Sequence, residues 1–86
     1  SQLKRLAMTA HDGIARAVRP AHSPLDGDTL FAVSTGDGRV EVGVDKLALL
    51  GEAAADAVQA AIVDAVTSAE SAHGVTAWRD LVGTAR

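Results

Sequence analysis

The densest group of polar side chains with chemical potential is His22, Ser23, Asp26, Asp28 and Thr29, in the stretch HSPLDGDTLFAVSTG spanning His22 to Gly36. Asp26 and Asp28 are two residues apart. In an extended chain they project to the same side. Two carboxylates held close tend to split their pKa values, so that one serves as acid or base while the other orients or neutralises a cation. The same Asp-Gly dipeptide is also a frequent turn former. The residues alone leave both readings open.

Two other chemistries can be drawn from these residues. His11, Asp12, His22, Asp26 and Asp28 carry nitrogen and oxygen atoms that could ligate a metal. Their spacing matches no familiar motif, and the third oxygen ligand and distal Glu of an EF-hand loop are missing. A Ser-His-Asp set can be assembled from Ser23 or Ser34, His22 and Asp26, but there is no G-x-S-x-G elbow. Ser1 could use its own α-amine as base, as N-terminal nucleophiles do. Because it precedes an amphipathic helical pattern, it is read as that helix's N-cap.

The elements that position these residues follow from periodicity. Leu3, Leu6, Ala7, Ala10, Ile14 and Val18 recur at helical spacing, which predicts a helix over 2–18. Gly13 inside it marks close approach to a neighbour, and Pro20 ends it. Residues 19–27 read as a loop. Residues 28–35 read as a strand apolar on both faces, hence covered on both. Residues 39–44 alternate and read as a second strand. A long helix over 46–72 follows, with Asp45 as N-cap and His73-Gly74 closing it. Its polar stripe is narrow, so it is buried on most sides or packed on other subunits. Trp78 is expected to anchor the tail. The order helix, strand, strand, helix indicates an α/β layered sandwich.

Composition bounds the rest. The 86 residues allow one domain, and 18 of them are alanine, against one Phe, one Trp and no Tyr. Alanine buries little area at about 25 cal/mol per Å². So many small apolar residues suit part of a larger fold better than a domain supplying its own core. A start at Ser1 agrees with a processed or cut chain. No cysteine is present, so thiolate sites and disulfides are excluded. A net charge of −3 with scattered arginines argues against a nucleic-acid partner. No signal-peptide pattern or membrane-length apolar run occurs, and a cytoplasmic location is expected.

The stretch AHDGIARAVRPAHSPLDGDTLFAVSTG (residues 10–36), the alanine-rich GEAAADAVQAAIVDAV (51–66) and the closing AWRDL (77–81) resemble the L-aminopeptidase/D-esterase (DmpA-like) family, which includes the β-peptidyl aminopeptidases. The resemblance covers nearly the whole chain. It implies a four-layer αββα sandwich, of which residues 1–86 are a C-terminal fragment of the smaller chain. It also implies a precursor that cleaves itself, so that a new N-terminal Ser or Thr becomes the nucleophile. That residue would begin a strand upstream of Ser1.

Asp26-Gly27-Asp28 falls where the β-peptidyl aminopeptidases have Ser-Gly-Glu or Ser-Gly-Asp. By resemblance Asp28 matches the acid, orienting the nucleophile network and holding the substrate's cationic α-amine. Asp26 replaces a hydroxyl, and a carboxylate can donate a proton only when it is itself protonated. It would serve instead as base or amine anchor. Asp26 and Asp28 are thus the expected catalytic residues, with no cofactor and no metal.

The expected activity is a serine/threonine-type aminopeptidase acting on small peptides, amides or esters. The expected partners are the remainder of the precursor and further copies of the protein, with the fragment inactive alone. A non-catalytic packing domain and a metal-dependent hydrolase built on Asp26 and Asp28 are the competing readings.

Overall fold

In the computed structural model, which describes residues 1–25, 27–38 and 42–85, the secondary structure is helical. The elements are α1 (Gln2–Ala10), α2 (Asp12–Ala17), α3 (Val44–Ser68) and α4 (Trp78–Ala85). Ser1 caps α1, its hydroxyl accepting from the Lys4 amide at 3.3 Å. This satisfies one of the amides that a helix start leaves without an intrahelical partner.

The single helix expected over 2–18 is two. His11 joins them in right-handed helical geometry, φ −57° and ψ −25°. The Ile14 amide bonds to the His11 carbonyl three residues back, at 3.1 Å. That is a local 3₁₀ tightening rather than a chain reversal. Apolar periodicity therefore runs through the junction without registering it.

α1 and α2 lie alongside α3 in parallel register. Gln2 Nε2 donates to the Val42 carbonyl near one end, and Arg16 pairs with Asp56 near the other. Small residues permit the approach. Ala10, Gly13 and Ile14 are buried on one side, Gly51 and Ala55 on the other. A Cβ at Gly13 would collide with the Ala55 carbonyl and stand 2.8 Å from Val58 Cβ. A Cβ at Gly51 would stand 2.7 Å from the Thr9 methyl.

α3 starts earlier and ends earlier than expected over 46–72. Gly43 is its N-cap without a side-chain bond, and Asp45 lies in the first turn. There a carboxylate favours the positive end of the helix dipole. Thr67 and Ser68 bond back to Val63 and Asp64, and Ala69 is already extended. His73-Gly74 closes a tight two-residue turn rather than the helix. Both have positive φ, 53° and 79°, and Ala72 and Val75 exchange amide bonds across them. This is the twist that two-residue hairpins favour. Trp78 does not bury itself as an anchor. It begins α4 and is 49% exposed, while its neighbour Ala77 is buried.

The two expected strands are not formed among the described residues. Residues 28–35 carry no helix, strand or turn, and 39–41 lie outside the described residues. Residues 42–43 are not in a strand, and Val44 belongs to α3. Alternation in 28–35 anticipates a two-sided cover that the described residues do not supply: Phe31 and Val33 are each 83% exposed. The buried apolar side chains among the described residues are Ala10, Ile14, Ala55 and Ala77. Three of those four are alanines. The radius of gyration is 16.6 Å, against about 12 Å for a compact chain of this length. Helix pairing alone shapes the molecule.

Candidate active-site wall

The segment His22–Gly36, the candidate wall, is reached from α2 through Val18, where the backbone turns extended, and the cis Arg19–Pro20 bond. Ser23 Oγ accepts from the Leu25 amide at 3.1 Å, a side-chain-stabilised turn. Ser34 Oγ accepts from the Gly36 amide at 3.3 Å in the same way. Both hydroxyls are thus engaged with backbone, and neither meets His22.

His22 turns instead to α1. Its Nε2 lies 3.2 Å from His11 Nδ1, and the two rings stack with centroids 5.1 Å apart and planes 15° from parallel. The other nitrogen of His11, Nε2, lies 3.4 Å from the Asp28 carbonyl oxygen. One imidazole at the α1–α2 junction therefore touches both His22 and Asp28. Among the described residues no group of three or more His, Asp or Glu is arranged to hold a metal ion.

Asp28 and Thr29 are exposed at the start of the stretch 28–35. Asp26, the other expected catalytic residue, lies outside the described residues. Beyond Asp28 the segment returns along α1, and Val33, Ser34 and Gly36 line a groove of about 580 Å³ with Leu3, Leu6 and Leu50. The His11–His22 contact is what sequence reading missed: it named both residues as possible metal ligands without pairing them. A usable signal was the place of His11 two residues before Gly13, the position already marked for close approach.

The match with known proteins defines the class first. Residues 1–79 match Peptidase family S58, and the chain belongs to this family of peptidases and amide hydrolases. The resemblance read from residues 10–36, 51–66 and 77–81 is thereby shown.

Among individual proteins, the chain is 42% identical over 88 residues to an uncharacterized aminopeptidase of Mycobacterium tuberculosis, covering 91% of this chain and 26% of that protein. It is 39% identical over 85 residues to an uncharacterized aminopeptidase of Mycobacterium leprae, covering 87% and 24%. It is 33% identical over 73 residues to a 6-aminohexanoate-oligomer endohydrolase of Paenarthrobacter ureafaciens, covering 74% and 20%. The chain thus spans about a quarter or less of the length of these relatives. No solved structure gives a significant match. No helix among the described residues is long and apolar enough to cross a membrane.

Proposed function

We propose that this chain is the C-terminal fragment of the smaller chain of a self-processing aminopeptidase, and that Asp26 and Asp28 belong to its active-site wall. The observation that carries the reading is the family match over residues 1–79, which includes the whole wall segment. The wider domain would be the αββα sandwich. Residues 28–35 would join a sheet there, which accounts for the exposed Phe31 and Val33. α3 would pack on the other face of its layer or on further copies of the protein.

An N-terminal Ser or Thr hydroxyl, generated by cleavage upstream, attacks the acyl carbon of a small peptide, amide or ester. Its own α-amine takes the proton, the amine or alcohol leaves, and water releases the acyl group. Asp28 orients this network and holds the substrate's ammonium; Asp26 serves as base or second anchor. No cofactor takes part, the enzyme works in the cytoplasm, and the fragment alone has no activity.

A second substrate class follows from the endohydrolase relative, whose name describes cleavage within 6-aminohexanoate oligomers. A panel of aminoacyl nitroanilides and linear ω-amino acid oligomers separates the two.

The decisive experiment is intact mass and N-terminal sequencing of the full-length protein, together with turnover by the wild type and Asp28→Asn. The expected result is a cut immediately before a Ser or Thr upstream of Ser1, and loss of processing, turnover or both in the variant. An uncut, inactive wild type favours a packing role. Wild-type rates for Asp28→Asn remove that residue from the site.

A further inference from the structure

We infer that His11 and His22 are positioning residues: a single imidazole, His11, pins both ends of the loop that carries the acidic pair. The inference rests on the reading that Asp28 belongs to the active site.

With both rings neutral, the contacts allow one proton pattern. A carbonyl oxygen only accepts, so His11 must donate to Asp28 from Nε2. A neutral imidazole has one N–H, which leaves His11 Nδ1 as an acceptor. His22 must then donate to it from its own Nε2, across 3.2 Å. Both contacts are satisfied together, with no conflict over protons.

The pin is itself held. His11 lies between α1 and α2, and its neighbours Ala10, Gly13 and Ile14 are buried. Gly13 stands against the backbone of α3 at Ala55 and Gln59. His11 therefore inherits the rigidity of the helix pair. In the loop Leu25 is 94% exposed, and Gly27 and Asp28 are exposed. Closing the loop at His22 and at Asp28 on one ring lowers the number of positions its ends can take. Neither histidine is assigned a contact with substrate. Their effect passes through the placement of Asp28, where a 1 Å error can cost about 10²-fold in rate.

The test uses the full-length protein. His11→Ala should lower kcat and kcat/KM about 10-fold or more, by misplacement of Asp28, which stands on both the nucleophile network and the substrate's ammonium. His11→Gln puts an amide N–H where the ring N–H stood and should recover most of that loss. His22→Ala, in the loop and away from the helix contact, should give a smaller loss of the same kind. Hydrogen exchange at residues 27–30 should quicken in both alanine variants.

Equal kcat losses in His11→Ala and His11→Gln at wild-type melting temperature overturn the inference. So do wild-type kinetics in both alanine variants. If His11→Ala does not fold, His22→Ala and His11→Gln decide alone: unchanged exchange and kcat in the former overturn the pin. Asp28→Asn runs in parallel. Its inactivity alongside unaffected histidine variants rejects the pin alone, while a fully active Asp28→Asn rejects the active-site reading beneath it.

Discussion

A methyl group added to Gly13 would run into the carbonyl oxygen of Ala55. The obstacle is backbone, so no side-chain rotation clears it. This contact sets how closely α2 lies on α3.

Gly13→Ala should therefore destabilise the protein although it sits in a helix. Removing a helical glycine gains about 1 kcal/mol. Forcing the helices apart costs about 1–3 kcal/mol. The expected outcome is a lower melting temperature in the full-length protein. At Gly51 the obstacle is the Thr9 side chain, whose methyl would lie 2.7 Å from the new Cβ. Thr9→Ser should rescue Gly51→Ala in a double-mutant cycle, whereas no single side-chain trimming should rescue Gly13→Ala.

Asp26→Ser should preserve processing and turnover better than Asp26→Ala. A hydroxyl stands at this position in the β-peptidyl aminopeptidases that the segment resembles, and alanine offers neither hydroxyl nor carboxylate. The ratio of cleavage rates in the purified precursors reads it. Equal rates would remove Asp26 from the chemistry.

Chelation should leave turnover unchanged. The proposed hydroxyl attack takes its proton acceptor from the chain's own α-amine. Activity lost on dialysis against chelator and regained with a divalent metal would instead support a metal-dependent hydrolase built on the acidic pair.

Ser71→Ala should loosen the C-terminal turn without touching the helix pair. The Ser71 hydroxyl accepts from the Ala77 amide at 2.7 Å and donates to Asp80. Losing a part-buried bond of this kind costs about 1–2 kcal/mol. Trp78 is the chain's one tryptophan and lies beside Ala77. Its environment should report the change as altered fluorescence wherever other tryptophans do not mask it.

Arg16→Ala should matter little. Arg16 and Asp56 meet at 2.8 Å, but their side chains are 45% and 66% exposed. Such pairs contribute about 0.2–1 kcal/mol. A cycle with Asp56→Ala should give a coupling in that range that shrinks as salt is added.

The helices were legible because one apolar stripe per turn is a local signal. Leu3, Leu6, Ala10 and Ile14 carry it, and Ser1 gives the cap. The break at His11 was not legible, since a 3₁₀ step leaves the stripe nearly intact. The end of α3 depends on Thr67 and Ser68 bonding backward, a competition that alanine content does not reveal. In 28–35 the alternation records an environment on both faces, whereas the described chain provides helix on one side only. The acidic pair stood out by type and spacing. Its link to His11 joins residues 17 apart and could not be read from any local period.

The stretch 28–35 also bears on handling the polypeptide. Its backbone forms no ladder among the described residues, and Phe31 and Val33 stand open on it. A segment outside any ladder that leaves apolar side chains open invites association with other chains. This chain expressed by itself should self-associate, its yield as dispersed protein falling as concentration rises. Under the proposal that it is part of a longer chain, co-expression with the rest of that chain should suppress the self-association.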